Sequence, residues 1–229
     1  MPARSSASTG KHCSFMKKIG LTQRVETVES YGERRDCLDQ QWTTFIEALP
    51  AVPVSLPNLH SCPGQLINEL DLEGIILTGG NTLAEYASAT ANAAPERDAM
   101  EEALLVHCIE KGIPVIGVCR GMQILNHHFG GKLIGMEGHT AVRHPIELVN
   151  VEEYPAFSAA PEVNSYHDLG IHLEGLASAL QAVALGPNNS VEAVKHESFS
   201  LWGVMWHPER EVPFTGEDLD FFRNVLLLS

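Results

Sequence analysis

The chain has 229 residues, 44% of them hydrophobic, which is enough to close one sizeable α/β core without a second domain. Its 29 acidic against 15 basic residues give a net charge of −14, a surface that repels phosphate backbones and argues against nucleic acid as a partner. No apolar run is long enough for a membrane span and no apolar stretch follows the N-terminus, so a soluble cytoplasmic protein with no membrane partner is expected. The five cysteines, Cys13, Cys37, Cys62, Cys108 and Cys119, are odd in number and include no CxxC pair. That argues against a disulfide framework or a thiolate zinc site. The eleven histidines show no HxxxH or HExxH spacing, so no metal is expected.

Residues 1–15 are small, polar and basic, and read as a disordered extension before one domain over 16–229. Lys17 to Thr22 predicts a first strand. Glu33 to Leu49 predicts a helix, with Leu38, Trp42, Phe45, Ile46 and Leu49 on one stripe. Ala51 to Leu56 is strand-like and is broken by Pro57. Gly64 to Leu70 predicts a weak helix, and Gly74 to Gly80 a strand. A small-residue loop runs from Asn81 to Ala94. Pro95 opens a helix that continues to Lys111. Pro114 to Val118 predicts a strand running into Cys119, followed by a helix from Gly121 to Phe129. The later segments "HPIELVN", "VNSYHDLGIH", "LQAVALG", "SVEAVKHE" and "LWGVMWHPE" predict short strands, and Gly216 to Leu228 a closing helix. This alternation predicts a mostly parallel sheet with helices on both faces and a short antiparallel extension.

Cys119 stands where a buried strand meets a helix. A helix N-terminus favours thiolate. Gly121 and the sharp turn would lift the side chain into the cleft, and the Arg120 N–H would be available to an oxyanion. A second glycine site, "LTGGN" (Leu77 to Asn81), also ends a strand and could complete an oxyanion hole. In "GVMWHPER", His207 and Glu209 are two apart in extended backbone and point to one side, as a base and its orienting group require. Taken singly, each stretch also fits a plainer role: a core cysteine, an ordinary Gly-Gly turn, a surface His-Pro-Glu turn.

Taken together and in order, "ILTGG", "GVCRGMQ", "GGK" and "GVMWHPE" resemble the class I glutamine amidotransferase superfamily, over Gly74 to Glu209. "CRG" after the nucleophile, the "PERDAMEEALL" helix and "VNSYH" are most similar to its free-standing γ-glutamyl hydrolase branch, the C26 peptidases. The resemblance implies a flavodoxin-like fold and a triad of Cys119, His207 and Glu209, with Gly80 and Arg120 supplying oxyanion N–H groups. It implies that Gln123 binds the glutamyl group and that Asn164, Ser165, Tyr166 and His167 contact the substrate. It implies a small-molecule γ-glutamyl substrate, no cofactor, and a monomer or homodimer.

Among Arg24, Arg97, Arg120, Arg143 and Arg210, the first and last flank the expected cleft and are candidates for an anionic leaving group. "MKKIGLTQRVE" and "LTGGNTL" are similar to amidotransferase-like proteins of Campylobacter-type capsule clusters. That likeness implies release of glutamate and a cytidine diphosphoramidate. A γ-glutamyl-γ-aminobutyrate-type substrate and a glutaminase subunit that supplies ammonia to a synthetase are the alternatives.

Overall fold

A computed structural model describes residues 16–88, 92–149 and 162–228. The expected N-terminal extension lies outside them. The first half forms β1 (Lys18–Thr22), β2 (Arg24–Val28), β3 (Glu33–Cys37), α1 (Gln41–Ala48), β4 (Val52–Leu56), α2 (Pro63–Glu69), β5 (Leu72–Leu77), α3 (Pro95–Lys111), β6 (Val115–Val118) and α4 (Arg120–His128). The second half forms β7 (Ile134–Gly135), β8 (Thr140–Pro145), β9 (Glu147–Leu148), β10 (Glu162–Tyr166), β11 (Leu169–Gly170), β12 (Leu180–Leu185), β13 (Val191–His196), β14 (Leu201–Val204) and α5 (Gly216–Val225).

Eight strands make one sheet in the order β4-β1-β5-β6-β14-β13-β12-β9. The pairs from β4 through β14 are parallel. The pairs from β14 through β9 are antiparallel. This is the expected α/β architecture with its antiparallel extension.

Strand residues alternate between two apolar layers, as a period of two requires. Ile19, Leu21, Ile76, Ile116 and Val118 pack with α1 and α5 on one face. Ile75, Leu77 and Val115 pack with α2, α3 and α4 on the other. Each such side chain, fully buried, contributes roughly 1.5–3 kcal/mol relative to exposure. Among the described residues, no helix is long and apolar enough to cross a membrane.

The expected helix over Glu33–Leu49 is corrected in its first half. Glu33–Cys37 is a strand paired antiparallel with β2, and the helix spans only Gln41–Ala48. The apolar stripe holds from the helix onward, with Trp42, Phe45, Ile46 and Leu49 buried in the core and Leu38 packed against it from the chain just before the helix. "ERRD" has no apolar residue to report its period, and its side chains pair outward. Arg35 Nε donates to Glu33 Oε1 at 2.7 Å, and Arg34 Nε to Glu96 Oε1 at 2.8 Å.

The chain leaves β1 toward β4 on one side and returns past it to β5 on the other, so the strand order reverses at β1. A crevice opens beyond the carboxyl ends of strands at such a point. Thr78 closes its floor: its N–H donates to Thr22 Oγ1 at 3.0 Å and its hydroxyl to the Thr22 carbonyl at 2.7 Å. The segments that follow β5, β6 and β14 bring Gly79-Gly80, Cys119 and His207 to this edge.

Candidate active site

The turn after β6 is strained at the cysteine. Cys119 has φ 53° and ψ −106°, the left-handed side of the map, which costs a non-glycine residue roughly 1–3 kcal/mol. The surrounding backbone holds it there. Its N–H donates to the Val204 carbonyl at 2.8 Å, and its carbonyl accepts from Met122 N at 2.9 Å. Two glycines let α4 lie hard against the sheet. A Cβ on Gly121 would stand 1.9 Å from the Leu77 carbonyl oxygen, and one on Gly117 would stand 2.3 Å from the Gly121 oxygen. The expected function of Gly121 therefore takes a steric form. Gly117 carries the same signal in the sequence, since a glycine inside a strand marks close backbone approach, but the motif reading passes over it.

His207 lies beyond β14, buried. The expected extended backbone is corrected to a 3₁₀ turn over Pro208–Arg210, opened by the fixed φ of Pro208, which folds Glu209 back so that its Oε1 lies 2.7 Å from His207 Nδ1. The Cys119 side chain is the other electrostatic partner of the ring. Burial alone would push the imidazole pKa down, but the charge and hydrogen bond of Cys119, and then those of Glu209, outweigh it and raise the value to about 9. Imidazolium is thus the favoured form of this ring.

Asn164 fixes the backbone of the same histidine. Its Oδ1 accepts from His207 N at 2.8 Å, and its Nδ2 donates to the His207 carbonyl at 2.8 Å and to Glu211 Oε1 at 2.7 Å. Its amide is therefore engaged by the protein at both ends. Ser165 is buried and donates its hydroxyl to the His139 carbonyl at 2.7 Å. Tyr166 is half exposed. Its ring meets the His207 ring edge-on at 5.7 Å between centroids, and the Arg210 guanidinium lies 4.6 Å from its centroid. His167 is buried against the Leu169 carbonyl, with Nδ1 at 3.0 Å. Burial first, then the neighbouring His139, push its pKa down to about 4. Gln123 is buried and donates Nε2 to the same carbonyl at 2.8 Å.

Gly80, Cys119, Arg120, Gln123, Tyr166 and His167 line one cleft, together with the backbone between them. Arg24, Gly79, His207, Glu209 and Arg210 line an adjoining pocket. Arg120 sits at the first turn of α4, where its N–H has no intrahelical acceptor. Gly80 has φ 88°, and the Arg24 stem passes so close that an added Cβ would stand 2.9 Å from Arg24 Cδ.

The structure divides the five candidate arginines. Arg97 is buried, bonds Glu101 at 2.8 Å, and donates to the carbonyls of Thr78 at 2.6 Å and Gly80 at 2.7 Å, so it braces the glycine turn. Burial lowers its pKa to about 10. The Arg120 side chain is buried in ion pairs with Glu101 and Asp98. These two guanidiniums outweigh burial and hold the Glu101 carboxyl below its usual range. Neither arginine side chain is available to an anion in the cleft, and Arg143 is paired with Glu211 at 2.6 Å. Arg24 and Arg210 sit at the pocket's edge and are partly exposed, each beside a carboxylate of its own, Glu26 at 3.2 Å and Glu209 at 3.6 Å. The Arg97–Glu101–Arg120 brace and the Asn164 clamp are not legible in the sequence motifs. Only the i,i+4 spacing of Arg97 and Glu101 offers a signal.

Comparison with known proteins gives the same frame. The Peptidase C26 family matches residues 18–209. The chain is 32% identical over 194 residues to γ-glutamyl-CDP-amidate hydrolase of Campylobacter jejuni, covering 84% of this chain and 90% of that one. It is 30% identical over 170 residues to a glutamine-hydrolysing GMP synthase subunit of Thermococcus kodakarensis, covering 74% and 81% respectively. In three dimensions it is similar to a glutamine amidotransferase of Thermotoga maritima, with a TM-score of 0.62 at 16% identity over 92% of this chain and 84% of the other.

Proposed function

The chain belongs to the peptidase C26 family of glutamine amidotransferase-like hydrolases, and from that premise we propose that it cleaves γ-glutamyl amides at Cys119. The observation that carries this reading is the buried His207, hydrogen-bonded to Glu209 and electrostatically paired with Cys119 across the crevice. With Nδ1 engaged by Glu209, the other ring nitrogen serves the sulfur.

The Cys119 thiolate attacks the γ-carbonyl carbon, and the resulting oxyanion is met by the N–H groups of Gly80 and Arg120. The His207 imidazolium gives its proton to the departing nitrogen as the C–N bond breaks, leaving a glutamyl thioester on Cys119. Neutral His207 then takes a proton from water, the hydroxide adds to the thioester carbonyl, and glutamate leaves as the thiolate is restored. Glu209 stabilises the imidazolium throughout and fixes its orientation. Gln123, on the cleft wall, contacts the glutamyl end, and Tyr166 with His167 borders it.

We assign the substrate as γ-glutamyl-CDP-amidate, cleaved to glutamate and cytidine diphosphoramidate. The Campylobacter relative supports this assignment. So do Arg24 and Arg210, two cations at the edge of the His207 pocket in a protein of net charge −14. They would hold the phosphates of the leaving group. The GMP synthase relative supports a second reading, a glutaminase that passes ammonia to a partner synthetase.

Glutamate release by the purified chain separates these. Glutamine, γ-glutamyl-γ-aminobutyrate and γ-glutamyl-CDP-amidate would each be tested beside Cys119→Ala. Fast release from the CDP-amidate alone, abolished in Cys119→Ala, is the expected result. Fast release from γ-glutamyl-γ-aminobutyrate would replace the leaving group. Slow release from glutamine only would favour the partner-dependent glutaminase, and release that survives Cys119→Ala would overturn the mechanism.

A further inference from the structure

The ribbon formed by β8 and β10 carries a second group of chemistry-bearing side chains, which the mechanism does not use. His139 precedes β8, His144 lies within it, and Glu192 stands on β13 of the central sheet. All three are buried, and one ligand-type atom from each lies within 4.8 Å of the others. His139 Nδ1 is 3.6 Å from Glu192 Oε1, and His144 Nε2 is 3.9 Å from the same oxygen. Both separations are too long for hydrogen bonds. Neither ring nitrogen has a hydrogen-bond partner among the described residues.

The outer contacts orient these groups. His144 Nδ1 lies 3.2 Å from the Pro145 carbonyl, which accepts only from a protonated nitrogen. In the neutral ring that contact places the proton on Nδ1 and turns Nε2 toward Glu192. Ser190 donates its hydroxyl to Glu192 Oε1 at 2.7 Å. A ring nitrogen whose other nitrogen is tied to a carbonyl, beside a carboxylate that is itself hydrogen-bonded, is the outer-shell pattern of metal ligands. Facing nitrogen and carboxylate oxygen atoms in a buried site are neutralised by a shared cation, a proton or a metal, and separations of 3.6 and 3.9 Å are too wide for a proton held in a hydrogen bond. With ligands about 2.0–2.2 Å from a tetrahedral zinc, the ligand atoms stand about 3.3–3.6 Å apart. The two separations to Glu192, 3.6 and 3.9 Å, lie at and beyond the upper end of that range, and the third lies within 4.8 Å, so the ligands would draw together slightly around the ion.

We propose that His139, His144 and Glu192 form a zinc-class divalent metal site that fastens the β8–β10 ribbon to the central sheet. Two imidazoles and a carboxylate suit zinc and leave one position for water or a further ligand. His167 lies alongside. Its ring is 4.9 Å from that of His139, its Nε2 also has no hydrogen-bond partner among the described residues, and it lines the cleft with Cys119. The site thus lies one side chain from the cleft, behind the strand that carries Asn164 and Tyr166. Short-spaced motifs did not reveal it, because its ligands come from two separate sheets.

The test is zinc titration of metal-stripped protein in competition with a chromogenic chelator. It is done in a Cys119→Ala background, so that the Cys119–His207 pair cannot capture the metal. One zinc per chain is expected. His144→Gln and Glu192→Gln should each weaken binding by more than the roughly 10–100-fold that a lost outer-shell contact costs. Cobalt(II) should give the visible bands of nitrogen and oxygen ligands, with no thiolate charge-transfer band. Amide hydrogen exchange in β8 and β10 should slow on adding zinc. Circular dichroism of the metal-free variants checks folding. If one variant fails to fold, the other and the cobalt spectrum of the Cys119→Ala protein decide. No stoichiometric zinc, binding unchanged in the folded variants, a thiolate band placing the metal on Cys37 or Cys62, or unaltered exchange would overturn the proposal.

Discussion

The two walls of the crevice are held by different means. The cysteine wall is local: β6, Cys119 and α4 are contiguous, and Gly117 and Gly121 press them onto the next strand. The histidine wall is assembled from a distance. His207 follows β14 on a short irregular turn, and its backbone is gripped by Asn164, 43 residues away on another sheet. A nucleophile in a strained backbone needs a rigid frame, and a strand running into a helix supplies one. A base needs only its ring fixed, and side-chain hydrogen bonds suffice. Damage to the first wall should therefore cost fold and activity together, and damage to the second mainly activity.

The largest effect is expected for Gly121→Ala. The new Cβ meets backbone at 1.9 Å and cannot be relieved by a rotamer change. Overpacking of this kind costs about 1–3 kcal/mol or more, so the unfolding midpoint in denaturant should fall and glutamate release should disappear. A stable, active Gly121→Ala protein would remove the contrast between the walls. Glu209→Gln follows. It should lower kcat by about 10⁴-fold while the denaturation midpoint moves little, because it spoils the orientation and charge balance of His207 rather than the packing. A loss confined to KM would contradict the role given to it.

Asn164→Ala comes next. It strips both hydrogen bonds from the His207 backbone in a buried site, a cost of about 1–3 kcal/mol. The expected readout is a lowered kcat with KM little changed, because the His207 ring loses its alignment, and a denaturation midpoint that falls by the folding cost alone. A rise in KM alone would mean that Asn164 touches substrate instead. Arg24→Met and Arg210→Met should act least. Each should raise KM for the anionic CDP-amidate by about tenfold or less and leave hydrolysis of glutamine, whose leaving ammonia carries no negative charge, unaltered. Equal effects on both substrates would end their assignment to the leaving group.

The coupling between the walls has its own pH signature. The folded pKa of His207, about 9, lies above the unfolded value of about 6.5. Its stabilising contribution is therefore complete below about pH 6.5 and is lost as pH rises through about 9. In Cys119→Ala the sulfur's charge and hydrogen bond no longer support the imidazolium, so the folded pKa should drop. NMR titration of the His207 ring in both proteins checks this. An unchanged pKa would mean that Glu209 alone holds the proton, and that the two walls are not electrostatically joined.

What the sequence determined by itself was the set of features carried by short stretches. Strand alternation, the helix of α3 opened by Pro95 and the elbow around Cys119 all arise within short stretches, where periodicity, φ/ψ preference and side-chain direction operate, and the nearness of His207 to Glu209 follows from their spacing although the backbone between them is a 3₁₀ turn and not extended. Tertiary structure alone decided the rest. The charged strand Glu33–Cys37 looked like the solvent face of a helix, because without an apolar residue its period could not be read. Its pairing with β2 made it a strand. Arg97 and Arg120 looked like free cations until α3 and α4 came together and Glu101 joined them. Asn164, and the cluster of His139, His144 and Glu192, acquire their partners only when the ribbon meets the central sheet. A buried polar group takes its function from whatever neutralises or hydrogen-bonds it, and for these residues that partner is remote in the chain.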